Sequence, residues 1–460
     1  MATFSIENFG CRATEADASV LRRELAERGL AQVDDHASAE VVVLNTCTVT
    51  AAADAQAREA VRKIYRANPA ARIIVTGCYA QRAPEELAAL EGVEWVVGNS
   101  HRSEIPRLAC SAPSPAREMA ADFVPLTQLS DDALPLSRGP AKILTGDIFA
   151  QTALDRAAAD LATHATLDDR TRPILKIQDG CNNRCSYCVI PFVRGRSRSM
   201  APDTVIAEVL RLASAGAKEV VLSGINLGSY GRDLTPRTTL GGIVRRMLDE
   251  TAIEQIRFSS IEPQDVTEDF ISLVAGSERI APHFHIPLQS GNDRILRAMR
   301  RWYRAEHYAE RVLLIRRMLP HAAIGADVIA GFPGESAADL RATYEFIEQL
   351  PFTYLHVFSF SVRPGTAAEH LADAVPGAEI RERARALRLL ARKKSEEFRA
   401  SQAGRLLRAL TLNRRGDDWT EALTGNYLKV RVAGVHPANE WHQVRVTADL
   451  ESSTARPELR

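Results

Sequence analysis

Long apolar runs are missing from this chain. No stretch approaches the roughly 18–20 consecutive apolar residues that a membrane-crossing helix needs, so no membrane partner is expected. The start, MATFSIENFG, lacks the basic and apolar regions of a secretory leader. Net charge is absent as well: 58 Lys and Arg offset 58 Asp and Glu. The chain as a whole therefore carries no excess that would draw a polyanion. Cysteine is scarce and odd in number, seven in 460 residues. That argues against a disulfide framework and for metal-ligating thiolates in a reducing, cytoplasmic setting. No repeat is visible beyond strand–helix alternation.

What is present fits a globular protein of two or three domains. Hydrophobic residues make up 45% and charged ones 25%, ordinary values for a soluble fold. Positive charge is concentrated locally. From Glu379 to Arg415 there are twelve Arg and Lys against four Glu, and from Asp293 to Arg317 eight Arg against three acids. Such stretches are either solvated helix faces or places where a polyanion is met.

The first 110 residues alternate short apolar runs with helical patterns. TFSIENFG, VVVLN, ARIIVTG and EWVVG read as strands, with helices near Glu15–Arg28, Ala53–Arg66 and Pro84–Leu90. Continuous Val and Ile runs suit buried parallel strands, so residues 1–110 are expected to form an α/β parallel-sheet domain. Residues 111–169 are rich in Pro, Ala, Ser and Asp and read as a linker or insertion, with one short helix near Asp155–Ala162. A second strand–helix series follows from Pro173: PILKIQ, EVVLSG, QIRFSS, HFHIPL, AIGADVIAG and TYLHVFSFS, separated by amphipathic segments. Six such units make a partial (β/α)6 barrel across residues 170–400, ending in a long Arg- and Leu-rich helix near Ala378–Ala400. Residues 401–460 show period-two alternation and read as a small antiparallel β domain.

The sharpest motif is DGCNNRCSYCVIP, with Cys181, Cys185 and Cys188 spaced C-x-x-x-C-x-x-C directly after the first barrel strand. A barrel carries its active site at that end of its strands. Three thiolates on a cubic iron–sulfur cluster leave one iron for a chelating substrate. A structural zinc site needs four ligands, commonly in paired C-x-x-C spacings, and no fourth Cys or His lies close by. The spacing, with Tyr187 before the last Cys, resembles the signature of the radical S-adenosylmethionine (SAM) enzymes. The resemblance implies a 4Fe-4S cluster whose free iron holds SAM and whose electron cleaves it to a 5′-deoxyadenosyl radical.

Cys11, Cys47 and Cys78 are scattered in sequence but share a place in the topology. Each follows an apolar strand: IENFGC, VVLNTC, IIVTGC. Parallel strands open their C-terminal ends on one edge, so these thiols form either a second metal site or three small packed side chains. Cys110 reads as a bystander thiol.

Two three-cysteine sets, an α/β domain, a six-unit barrel and a small β domain together resemble the tRNA methylthiotransferases of the radical SAM superfamily. The resemblance covers nearly the whole chain and extends to VRGRSRS, LSGINLGSYG, RFSSIEP, HIPLQSGND, ADVIAGFPGE and FSVRPGT. It implies that Cys11, Cys47 and Cys78 hold an auxiliary 4Fe-4S cluster, that Cys181, Cys185 and Cys188 hold the radical cluster, and that a TRAM-like C-terminal domain binds tRNA. It also implies an electron donor of flavodoxin or ferredoxin type. Gly224, Asn226, Gln289, Asp327 and Tyr187 are the expected SAM contacts; for SGINLG a bare tight turn is the alternative. His283 and His285 share a strand face and read as packed histidines. Arg194, Arg196 and Arg198 are candidates for a phosphate or carboxylate, and Pro364–Thr366 for a turn.

The strings NTCTVT, GCYAQ, KIQDGC and GINLGSYG resemble the branch that acts on threonylcarbamoyladenosine at tRNA position 37. The alternatives are the isopentenyladenosine branch and, more distantly, a cobalamin-type radical SAM methyltransferase. In the latter the first domain would hold cobalamin, and three strand-end cysteines argue against that.

Overall fold

The computed structural model of the chain describes residues 2–111, 141–152, 154, 171–447 and 454–455. The helix expected near Asp155–Ala162 and most of the stretch read as a linker lie outside the described residues. Two compact units result. The first is N-terminal and includes Gly180–Asn182 and Cys188–Arg196; the second includes Asn183–Tyr187 and everything from Ser197 onward.

The first unit is built on an all-parallel sheet. Its strands are β1 (Thr3–Asn8), β2 (Ala31–Gln32), β3 (Val41–Thr46), β4 (Arg72–Gly77), β5 (Val93–Gly98) and β6 (Lys142–Leu144), in the order β2-β1-β3-β4-β5-β6. The unbroken Val and Ile runs are explained by burial on both faces. Val42, Leu44, Ile73 and Val75 pack with Ala57, Val61 and Ile64 of the helix Ala51–Ala67. Val41, Val43 and Ile74 point the other way, onto Leu21 and Leu25 of the helix Arg12–Glu27. Truncating one such residue, as in Ile74→Ala, would cost about 2–5 kcal/mol. Strand β6 falls inside the stretch read as a linker: Trp95, Val96 and Val97 pair with Lys142, Ile143 and Leu144. Only three residues of it pair, too few for a period to stand out in the sequence.

The second unit carries β7 (Ile174–Asp179), β8 (Arg198–Ser199), β9 (Glu219–Gly224), β10 (Gln255–Phe258), β11 (His283–His285), β12 (Ala323–Ala330) and β13 (Tyr354–Ser359). They form two sheets, β10-β9-β7-β8 and β11-β12-β13, linked by parallel bridges between Ile256 and Ile280 and between Ser260 and His285. The expected six-unit partial barrel is therefore present, parallel except for the short β8, which pairs antiparallel with β7. The helix Gly377–Ser401 packs along β12 and β13.

The last strands are β14 (Leu406–Arg415), β15 (Trp419–Thr424), β16 (Lys429–Ala433), β17 (Trp441–Arg445) and β18 (Thr454–Ala455). They form a five-stranded sheet that is antiparallel apart from the β16–β18 pair. Ala409, Ala422, Val430, Val432 and Val444 fill its core. It is fixed to the N-terminal ends of the barrel strands by fully buried Arg257. This side chain meets Glu219 at 2.8 and 3.1 Å and also donates to the carbonyls of Thr424 and Gly425. Burial would raise the Glu219 pKa, but Arg257 overrides it and holds the carboxyl below the ordinary value of 4.5. Among the described residues no helix is long and apolar enough to cross a membrane.

Candidate functional site

Strands β1, β3 and β4 are neighbours in the first sheet, with Asn8 opposite Asn45 and Thr46 opposite Gly77. Their register brings the three cysteine positions to one rim. Cys11 caps the helix Arg12–Glu27, Cys47 directly follows β3, and Cys78 opens the helix Cys78–Arg82. Glycines make the approach possible. A Cβ on Gly10 would lie 2.6 Å from Cys47 Cβ, and one on Gly77, whose φ is +99°, would lie 2.3 Å from the Thr46 carbonyl oxygen.

Cys47 and Cys78 are buried, while Cys11 is exposed. Burial, then the neighbouring Cys78 and Cys11, push the Cys47 thiol up to about 12. Burial likewise raises Cys78, opposed by Arg194. Thiols that disfavour one another's ionisation this way become thiolates only when a cationic group compensates them. Part of that compensation is built in. Arg194 Nε lies 3.2 Å from Cys78 Sγ, and Asn99 Nδ2 lies 3.7 Å from it. Arg194 is 1% exposed and is held by Asp17 at 3.0 Å, which Arg102 meets at 2.8 Å from the other side. Arg194 was a candidate for a substrate phosphate or carboxylate. Its guanidinium is instead committed to a sulfur and a buried carboxylate. Arg198 is buried in β8, and Arg196 alone of the three is exposed.

The second cysteine set occupies the loop after β7, all three thiols partly exposed. The Cys181 N–H donates to the Gly195 carbonyl at 3.0 Å. Cys185 Sγ accepts from Arg301 Nη1 at 3.2 Å. Arg301 is 3% exposed at its side chain and is ion-paired with Glu262. Burial pushes the Glu262 carboxyl up, against the pull of Arg301. Ser186 anchors the loop, donating from its N–H to Met299 O at 3.0 Å and from its hydroxyl to Ala298 O at 2.8 Å. Sequence reasoning missed Arg301 and Asn99 as cysteine partners, and Glu262 and Asp17 as the acids that hold the two arginines. They lie far in the chain from Cys78 and Cys185, although Glu262 falls inside RFSSIEP and Arg301 inside the basic stretch Asp293–Arg317.

Four of the five residues expected to contact SAM, Gly224, Asn226, Gln289 and Tyr187, occupy the C-terminal ends of barrel strands and the loops after them. Gly224 ends β9. The Asn226 N–H donates to Gln178 Oε1 at 2.7 Å, while its own buried Oδ1 has no protein partner. A buried amide oxygen left open in this way is suited to a donor such as an amino group. Tyr187 meets Phe332 edge-on, ring centres 6.5 Å apart. Gln289 adopts φ of +65° and takes part in a bridge with Val328; a left-handed glutamine is a strained backbone of the kind found at binding sites. Asp327 is not at a strand end. Its Oδ1 lies 3.3 Å from His285 Nε2 and 3.3 Å from His356 Nδ1. Burial works to raise its pKa, and the two imidazoles override that and hold it well below the usual carboxylate range. His283 stacks on Tyr427 at 4.2 Å and bonds Tyr354, in line with a packed histidine. His285 does more than pack, and His356 was not singled out in the sequence. Pro364–Thr366 is a turn, with the Thr366 N–H on Arg363 O. Cys110 is exposed at the end of its helix.

Comparison with known proteins fits this layout. Residues 3–98 match the family described as uncharacterized protein family UPF0004, and residues 175–347 match the radical SAM superfamily. Threonylcarbamoyladenosine tRNA methylthiotransferase MtaB of Aquifex aeolicus is 37% identical over 430 residues, covering 94% of this chain and 96% of that protein. The Bacillus subtilis protein of the same name is 33% identical, covering 98% of both. The tRNA-2-methylthio-N(6)-dimethylallyladenosine synthase of Syntrophobacter fumaroxidans is 36% identical over 81% of this chain and 76% of its own. Among solved structures, the radical SAM methyltransferase TsrM from Kitasatospora setae superposes with a TM-score of 0.55 at 18% identity, covering 80% of this chain and 77% of its own. At that identity the likeness concerns the fold alone.

Proposed function

The chain belongs to the tRNA methylthiotransferases of the radical SAM superfamily, and from that membership we propose that it converts N6-threonylcarbamoyladenosine at tRNA position 37 to its 2-methylthio derivative. The observation that carries the substrate is the end-to-end similarity, at 37% identity, to a protein named for threonylcarbamoyladenosine. The strings NTCTVT, GCYAQ and GINLGSYG support the same branch.

Membership of the radical SAM superfamily brings one 4Fe-4S cluster and SAM. Cys181, Cys185 and Cys188 are assigned to that cluster. Cys11, Cys47 and Cys78 are assigned to a second, auxiliary one. The mutual repulsion of the buried thiols and the donors on Cys78 support the fit. When bound, these groups supply what side chains cannot: a carbon radical able to take the non-acidic C2 hydrogen of adenine, and sulfur to replace it.

The chain itself provides placement. Arg194 and Asn99 direct N–H groups at Cys78, and Arg301 directs one at Cys185. Donors to a ligating sulfur withdraw charge from it and tune the potential of the site. Gly224, Asn226, Gln289 and Tyr187 are assigned to SAM, with Asn226 Oδ1 open to its amino group; Asp327, inside β12 and facing His285 and His356, is not assigned to it. Residues 1–110 form the auxiliary-cluster domain, 170–400 the radical domain and 401–460 a TRAM-like domain for tRNA. The electron comes from a flavodoxin- or ferredoxin-type donor in the cytoplasm.

The test uses reconstituted enzyme and two tRNAs, one bearing threonylcarbamoyladenosine and one isopentenyladenosine, with the nucleosides analysed by mass spectrometry. A methylthio product on the first alone is expected. Product on the second alone would overturn the substrate and leave the reaction class standing. That second reading is kept because a dimethylallyladenosine synthase is 36% identical over most of the chain.

A further inference from the structure

Strands β11, β12 and β13 are adjacent and parallel, with His285 opposite Gly325, Gly325 opposite Tyr354, and Asp327 opposite His356. Side chains two apart share a face. His285, Asp327 and His356 therefore project from three neighbouring strands on one side of the sheet. Gly325 leaves the space that the Tyr354 ring occupies: a Cβ there would lie 1.9 Å from its Cζ. The His285 ring stacks on Tyr354 at 5.8 Å, and the His356 ring lies 5.2 Å from that of His285.

The geometry points to a mononuclear site for a divalent first-row cation, with His285 Nε2, Asp327 Oδ1 and His356 Nδ1 as its ligands. The three atoms lie within 4.8 Å of one another, and each nitrogen is 3.3 Å from the same carboxylate oxygen. Ligands about 2.1 Å from a cation stand about 3.0–3.4 Å apart when they subtend octahedral or tetrahedral angles. The two nitrogen–oxygen separations fall in that interval.

Two further observations aim the ligands. His285 Nδ1 lies 2.7 Å from Ser260 Oγ, which fixes the ring and leaves Nε2 for the shared centre. A second partner that orients the ring in this way is characteristic of ligating histidines. His285 is 7% exposed, yet its buried Nε2 has no hydrogen bond of good geometry. A buried nitrogen left so is costly, and a cation between the two imidazoles and the carboxylate removes the cost.

Two imidazoles and one carboxylate suit zinc, manganese, iron(II) or cobalt better than calcium or magnesium. Three protein ligands leave coordination positions open, as in sites that bind substrate or water. The half-exposed His356 side chain is the solvent-facing member. The remaining positions would take water or an oxygen of a bound substrate. None of the six cluster cysteines is involved.

The test is Mn2+ titration of the reconstituted enzyme, followed by electron paramagnetic resonance. Mn2+ has little affinity for thiolates, and the clusters keep their own iron. One saturable Mn2+ per chain is expected, with nitrogen couplings from two imidazoles in the pulsed spectrum. Zn2+ should displace it, being later in the affinity order. H356A, at an exposed position, should remove one nitrogen coupling and weaken binding at least tenfold; D327N should abolish it. Both variants should keep wild-type iron content and circular dichroism. No saturable Mn2+ or Zn2+ binding up to about 1 mM, a value typical of incidental association, would overturn the site. So would unchanged binding in folded H356A and D327N, since the metal would then lie elsewhere.

Discussion

The two cysteine sets arrive at similar surroundings by different routes. Cys181, Cys185 and Cys188 fall within one loop, so their proximity is set by the chain itself. Cys11, Cys47 and Cys78 are brought together only because β1, β3 and β4 are neighbours in register. Yet each set has one sulfur facing a buried arginine pinned by an acid: Cys185 with Arg301 and Glu262, Cys78 with Arg194 and Asp17. A local loop and a sheet rim thus converge on the same device, a fixed N–H donor directed at a cysteine sulfur.

The largest expected effects separate the two sets. Replacing Cys181, Cys185 and Cys188 together by Ala should abolish 5′-deoxyadenosine formation and lower iron from about eight to about four per chain. Replacing Cys11, Cys47 and Cys78 should cost the same iron, keep SAM cleavage and abolish the methylthio product. A wild-type content near four irons would remove the auxiliary cluster. Loss of SAM cleavage in a folded N-terminal variant would mean that the two sets do not divide the work as assigned.

A control that touches no sulfur comes next. E219Q leaves Arg257 buried without its carboxylate, which should cost about 3–5 kcal/mol at neutral pH. The folded pKa of Glu219 is depressed, so its contribution is fully present above 4.5 and is lost as pH falls through the lower folded value. Chemical denaturation from pH 7 downward should show wild type and E219Q converging below 4.5. A constant gap across that range would show that the pair's charge is not what stabilises the junction. Cluster content should not differ between the two proteins.

Smaller shifts test the arginines. R301Q should lower the potential of the radical site and R194Q that of the auxiliary site, each by on the order of tens of mV, because one N–H donor to sulfur is lost. Redox titration of each site, in a background lacking the other set, would read this. Lysine at either position should recover part of the shift. Arg102 still meets Asp17 in R194Q, so that variant should fold. Equal potentials in wild type and glutamine variants would reduce both arginines to packing.

How much of this was legible in the sequence follows the same division. The triplet was readable from spacing, because ligands a few residues apart need no fold to meet. The rim set was readable only through topology: continuous Val and Ile runs gave parallel strands, and parallel strands share an edge. The barrel strands and their helices were legible from period and length. Three things were not. Strand β6 is three residues long and carries no period. Arg194 could not be assigned, because an arginine in VRGRSRS looks the same whether it meets a phosphate or a sulfur. His285, Asp327 and His356 lie on separate strands, and which strand residues face one another depends on register, which a single sequence does not state.

The smallest effect concerns tRNA and distinguishes both cysteine sets from the C-terminal sheet. Arg431 lies on the solvent-facing side of β16, its guanidinium 4.3 Å from the ring centre of Trp419, and Arg408 covers Trp441 at 4.0 Å. A guanidinium held over an indole is pre-oriented, so less entropy is lost when it meets a phosphate. If Arg431 makes one phosphate contact, R431A should weaken tRNA binding a few-fold near 0.1 M salt and flatten the log–log salt dependence by about 0.7–0.9. R431K should keep the slope, since the charge remains, but lose affinity with the stacking. Neither variant should alter iron content or SAM cleavage, and neither cysteine triple variant should change the salt slope. An unchanged slope in R431A would move the phosphate contact elsewhere, with the Arg-rich stretch Asp293–Arg317 the next surface to test. A slope altered by the N-terminal cysteine replacements would mean that the rim set also takes part in holding tRNA, and the separation between chemistry and recognition would fail.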